Sequence, residues 1–145
     1  MERMTMSNLQ TPFRYDFVGS FLRPQALKDA KANYAACKIG KAEYDEIVNS
    51  QITKLVAKQK ELGYHAITDG EFRRTFWHLD FMWGFEGVAH EDTGNGVPFS
   101  GELAKLDDTY LVGKIKAKAH PFVEYFKFTS RVSSNCRGNP KCNVF

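Results

Sequence analysis

Residues 54–74 read KLVAKQKELGYHAITDGEFRR, and the fold turns on how that stretch divides. From about Ala42 to Leu62 the apolar residues Tyr44, Ile47, Val48, Ile52, Leu55, Val56 and Leu62 recur every three or four positions. That spacing places them on one face of an amphipathic helix. Gly63 stands where a left-handed cap residue is expected, and Tyr64 to Thr68 then reads as a short buried strand. The strand ends at Asp69-Gly70-Glu71. His65, at its centre, reads as a hydrogen-bonded core residue rather than a ligand or a base.

Upstream, Phe13 to Val18 mix aromatic and β-branched residues with polar ones and run into Gly19-Ser20, which predicts a strand and a tight turn. Pro24 has its φ fixed near the helical value and lacks only a donor that a first turn cannot use, so it opens a helix through about Ala36. Gly40 ends that region. Strand, turn, helices, glycine cap, strand and turn make a βαβ unit with parallel strands and a right-handed connection. Both polar turns then fall at strand carboxyl ends, the edge at which ligand sites gather in open α/β sheets and in barrels.

Downstream, Phe72 to Val88 carry Phe72, Phe76, Trp77, Phe81, Trp83 and Phe85, which fit either a lid or a core plug. Gly94, Gly96, Pro98 and Gly101 predict a turn-rich connection over His90 to Gly101. Thr109 to Ala117 reads as a strand, with Lys114, Lys116 and Lys118 as the solvent face of a half-exposed element. Pro121 starts a new segment. From Thr129 the sequence TSRVSSNCRGNPKCNVF loses periodicity and predicts an irregular tail.

Composition narrows the function classes. With 145 residues, 43% hydrophobic and 26% charged, the chain fits a soluble globular domain and not a disordered or fibrous one. The 20 basic and 17 acidic side chains leave a charge of +3 and are interspersed, which weighs against a nucleic-acid partner. No apolar run approaches the ~20 residues of a membrane span, and MERMTMSNLQ has no hydrophobic signal core, so a cytoplasmic location is expected. Cys37, Cys136 and Cys142 form an odd count without a framework, pointing to reduced thiols. The five residues between Cys136 and Cys142 exceed the usual spacing of a zinc knuckle.

Two clusters could carry chemistry. Asp69, Glu71, Arg73 and Arg74 stand together at a strand end, and such a set suits an amino acid: a carboxylate binds ammonium, a guanidinium binds carboxylate. The plain alternative is a solvated Asp-Gly turn with surface ion pairs. Gly19-Ser20 could offer a hydroxyl and backbone N–H groups to a ligand carboxylate, or be a simple strand-to-helix turn. The aromatics of residues 72–85 could stack on a pteridine ring, although core packing is the commoner use of such residues.

Val18-Gly19-Ser20-Phe21-Leu22-Arg23-Pro24, followed by Gln59, Gly63 and Ile67-Thr68-Asp69-Gly70-Glu71-Phe72-Arg73-Arg74, resembles the cobalamin-independent methionine synthase family, especially its short single-barrel members. The likeness extends through Val112-Gly113-Lys114-Ile115 and His120-Pro121-Phe122 to about Phe128. It implies an α/β fold, the first few units of a TIM (β/α)8 barrel with a turn-rich insertion. The implied activity is zinc-dependent methyl transfer from 5-methyltetrahydrofolate polyglutamate to homocysteine, a step of methionine biosynthesis. By the resemblance, Gly19 and Ser20 contact the amino acid end of homocysteine and Glu71 binds its amino group; Asp69 and Arg73, from the charge cluster, complete the expected substrate site. Asp69 stands where the large two-domain synthases have histidine, which leaves the acceptor thiol open.

The family's zinc ligands, His, Cys, Glu and Cys on later strands, have no counterpart here, and Cys136 and Cys142 do not match them. A whole barrel takes ~250 residues. The expectation is therefore a division into residues 1–128, the amino-terminal part of the barrel, and residues 129–145, an irregular tail with the character of a frame shift. Such a chain would bind substrate without turnover, or serve only as a binding module that self-associates through an open barrel edge.

Overall fold

The structure, a computed structural model, describes residue 17 and residues 19–64, 66–76, 78–99, 102–135 and 143–144. The strand expected over Phe13 to Val18, apart from Phe17, lies outside these residues, as do His65, Trp77, Gly101, Cys136 and Cys142. The chain divides into two compact units, Met1–Arg73 with Phe126–Phe145, and Arg74–Tyr125.

In the first unit Pro24 caps α1, Gln25–Ala35, and its carbonyl accepts hydrogen bonds from the N–H groups of Leu27 and Lys28. Leu27 and Ala30 are the buried residues of this helix. Helix α2, Lys41–Glu61, buries Val48, Ile52, Val56 and Gln59, the three- and four-residue spacing read from the sequence. Its end is a Schellman cap. The Gly63 N–H bonds the Lys60 carbonyl, the Tyr64 N–H bonds the Gln59 carbonyl, both at 3.0 Å, and Gly63 has φ +78°.

Strand β1, Ala66–Ile67, carries Ile67 into the core formed by Leu27, Val48, Ile52, Val56 and Phe72. Phe21, Tyr44, Leu55, Tyr64, Phe128 and Val132 pack around that core. Phe72, at the start of the aromatic run, is thus a core residue. No helix among the described residues is long and apolar enough to cross a membrane.

In the second unit the short helix α3, Leu79–Met82, precedes two long antiparallel strands, β2, Glu86–Phe99, and β3, Glu102–Lys116. The turn-rich connection expected over His90 to Gly101 is therefore strand for most of its length. Its glycines mark irregularities instead: the register shifts between Asp92 and Gly96, and Gly94 has φ +65°. Trp83 stacks on His90 at 3.9 Å between ring centroids, meets Phe76 edge to face, and donates its indole N–H to Thr109 Oγ1 at 2.9 Å. Phe81, Phe85 and Phe122 surround the His120 ring. The expected half-exposed strand face is not seen at the end of β3, where Ile115 is exposed along with Lys114 and Lys116.

Helix α4, Pro121–Asn135, starts in the second unit and ends in the first. Its later turns bury Thr129 and Ser133 and set Phe128 and Val132 against the core, again a three- and four-residue stripe. Lys60 reaches from α2 to the Ser133 carbonyl near the helix end. Strand β4, Asn143–Val144, pairs in parallel with β1, Ala66 opposite Asn143 and Ile67 opposite Val144. Regular structure therefore runs past Phe128, where an irregular tail was expected. Ser and Thr at 129, 130, 133 and 134 hid the helix from a hydrophobic pattern, and Ser134 Oγ bonding the Ser130 carbonyl absorbs one of their hydroxyls.

Candidate functional site

The site is two facing turns. Past β1, the Thr68 hydroxyl accepts the Gly70 N–H at 3.2 Å and Asp69 Oδ1 accepts the Glu71 N–H at 2.9 Å. These two side-chain caps curl the backbone so that Gly70 and Glu71 both take positive φ, +65° and +57°. Gly70 suits that conformation, and a Cβ there would lie 2.5 Å from Leu55 Cδ2 and 3.2 Å from Phe21 Cβ. Glu71 has no such excuse. A left-handed glutamate costs on the order of 1–2 kcal/mol, which directs attention to what its side chain does.

The second turn answers that. Gly19 has φ +103°, and the chain after it docks on the first turn through the Phe21 N–H to the Gly70 carbonyl at 3.1 Å. Ser20 Oγ then donates to Glu71 Oε2 at 2.6 Å, and Arg23 Nη2 donates to the Glu71 carbonyl at 3.3 Å. Residues 51 apart in sequence are thereby joined at the carboxyl end of β1. Ser20 is exposed and Glu71 half-buried, so a ligand has access to the pair. A hydroxyl fixed beside a carboxylate offers an ammonium group two acceptor sites.

Of the residues expected at the site, the structure brings Gly19, Ser20, Asp69 and Glu71 together. Asp69 has the turn-forming role of the plain alternative. Arg73 donates to Asn49 Oδ1 on α2 at 2.6 Å and lies over the Phe128 ring, and Arg74 lies over the Phe122 ring in the second unit. The four-residue charge cluster read from the sequence is thus divided, because the residues after Glu71 turn to different neighbours. Arg23 and Gln59 are the additions. Gln59 was visible as a polar residue on the apolar stripe of α2, three positions after Val56.

Among the described residues no three of His, Cys, Asp and Glu gather as a metal would require. The residues of this site do not fit a zinc centre.

Residues 14–97 match the family described as cobalamin-independent synthase, catalytic domain. The chain belongs to that family. It is 35% identical to YxjH of Bacillus subtilis, an uncharacterised protein, over 97% of this chain and 37% of YxjH. It is 30% identical to the 5-methyltetrahydropteroyltriglutamate–homocysteine methyltransferase of Thermotoga petrophila over 64% of this chain and 13% of that protein. Among solved structures, a candidate vitamin-B12-independent methionine synthase of Listeria monocytogenes superposes with a TM-score of 0.71 at 34% identity, covering 94% of this chain and 36% of that one.

The fold is accordingly α/β, a portion of a TIM barrel, and the chain spans little more than a third of the length of YxjH. The alignment with YxjH takes in 140 of the 145 residues, so at most five lie outside it and it continues past Asn135.

Proposed function

We propose that this chain supplies the amino acid end of a thiol-substrate site for methyl transfer from a methyl-folate to homocysteine. The observation that carries the reading is the hydrogen bond from Ser20 to Glu71, formed across 51 residues at a barrel strand end. The Glu71 carboxylate takes the homocysteine ammonium, and Ser20 holds that carboxylate in line. Gly19 and Ser20 receive the substrate carboxylate through their backbone N–H groups. In the reaction a sulfur–carbon bond forms to the methyl group as its bond to the folate nitrogen breaks, and the proton lost by the thiol is balanced by one taken up at that nitrogen. The family relationship supports the reaction class, and the zinc that the family uses would be held by residues other than those described.

The reading separates binding from turnover. The full chain is expected to gain thermal stability from L-homocysteine, about 2.7 kcal/mol at a hundredfold excess over the dissociation constant. Glu71→Ala should abolish the gain, and Ser20→Ala should weaken binding on the order of ten-fold. No methionine should form with methyl-folate present. Binding of homocysteine to Glu71→Ala as tight as to the parent would remove the assigned site. Absence of binding by the parent chain would leave the non-catalytic module as the better description.

A further inference from the structure

Gln59 is 1% exposed, a carboxamide placed on the apolar face of α2. Burying such a group without partners costs on the order of 1–3 kcal/mol, so its contacts define its role. Both ends of the amide are used on Thr68, and Nε2 also donates to the Leu55 carbonyl one turn back on α2 at 3.5 Å. Gln59 Nε2 donates to the Thr68 carbonyl at 2.8 Å, and Gln59 Oε1 accepts the Thr68 N–H at 3.0 Å. A primary amide has the donor and acceptor of a peptide group, and here it pairs with Thr68 as a neighbouring strand would.

Thr68 lies one residue past β1, beyond the register of β1 with β4, and it is the first residue of the turn that carries Glu71. Three links follow in order. Gln59 fixes the backbone of Thr68, the Thr68 hydroxyl and Asp69 fix the N–H groups of Gly70 and Glu71, and Glu71 meets Ser20. We infer that Gln59 is a positioning residue, whose carboxamide sets the Thr68–Glu71 turn and through it the place of the Glu71 carboxylate. The inference deepens the amino acid site and rests on that reading for its functional meaning, while its structural content can be tested without any ligand.

Arg23 acts on the same turn from the other side, by bonding the Glu71 carbonyl, but it is half-buried and joins the turn only at its end. Gln59 acts at the start of the turn from the buried side, through two hydrogen bonds to the Thr68 backbone.

The test uses the full chain and three variants: Gln59→Met, which removes both hydrogen bonds to Thr68; Gln59→Glu, which keeps the acceptor and loses the donor; and Val48→Ala, a core truncation eleven residues earlier on α2. Amide exchange by NMR is read at Gly70 and Glu71 with each protein held equally far below its own Tm. Both Gln59 variants should speed exchange there about ten-fold, and Val48→Ala should not. Homocysteine affinity should fall about ten-fold in Gln59→Met and hold in Val48→Ala. Unchanged exchange at Gly70 and Glu71 in the Gln59 variants would overturn the inference. So would failure of both variants to fold, which would make Gln59 a residue of core assembly. If the parent chain does not bind homocysteine, the amino acid site falls, and the exchange data still decide whether Gln59 positions the turn.

Discussion

The Ser20–Glu71 turn pair and the β2–β3 strands are both shaped by backbone hydrogen bonds, but different things stand behind them. The turns are anchored from the interior, where Gln59 grips Thr68 and Ile67 and Phe72 are buried on either side of Asp69-Gly70-Glu71. The strands are long and well paired, yet Leu111 and Val112 on β3 remain 65% and 64% exposed. Backbone pairing alone fixes a strand's course, whereas a left-handed glutamate needs a packed layer beneath it. Function is expected where both are present, and the turns satisfy that condition.

The largest effect should come from undercutting the packed side. Ile52 is fully buried at the centre of the core, so Ile52→Ala should cost about 2–5 kcal/mol in urea denaturation. A loss below about 1 kcal/mol would mean that the layer under the turns is not close-packed. A somewhat smaller loss, about 1–3 kcal/mol, is expected from Gly70→Ala. The new methyl must accept positive φ and displace Leu55 and Phe21, and because the Gly70 carbonyl holds Phe21, homocysteine affinity should drop with stability. Loss of stability with intact affinity would show that the two turns are held independently.

The same contrast explains what the sequence could reveal. Helix α2 was legible because Val48, Ile52 and Val56 repeat an apolar spacing that no strand shares, and Gly63 marks its end with a residue suited to φ +78°. Strand β2 was not, because Gly94, Gly96 and Pro98 carry the composition of a loop while cross-strand pairing to residues of β3 decides the outcome. The end of α4 was hidden for another reason: Thr129 and Ser133 fill buried positions with small polar side chains, so the stripe is real but not hydrophobic. At the site, Gly19, Ser20 and Glu71 were legible as polar turns at strand ends, and the family resemblance gave them their substrate roles. Their hydrogen bond depends on a tertiary approach that local pattern does not encode, and the diversion of Arg73 to Asn49 depends on the same packing.

Lys60 sharpens the comparison at the edge of the packed side. Its ammonium caps the Ser133 carbonyl, a tie between α2 and the last turns of α4. Lys60→Met keeps most of the aliphatic stem and removes the charge-assisted bond, and about 1 kcal/mol should be lost. Faster amide exchange should then be confined to the end of α4. If exchange also rose in α2, the tie would be supporting the core rather than closing a helix end.

The smallest effect is expected on the open strands, and it tests the comparison most directly. Leu111 and Val112 are largely exposed, so the double change Leu111→Ser and Val112→Ser removes little buried area and should alter stability by no more than about 0.5 kcal/mol at low micromolar concentration. The β propensity of valine acts against the change, but only by a fraction of that amount at an exposed position. Measured over a hundredfold range of protein concentration, the Tm of the parent should stay constant if these side chains remain in water. A Tm that rises with concentration in the parent and not in the serine variant would show that Leu111 and Val112 are buried between molecules. The strands would then have a packed layer after all, supplied by another copy of the chain, and the distinction between the two regions would hold only for the monomer.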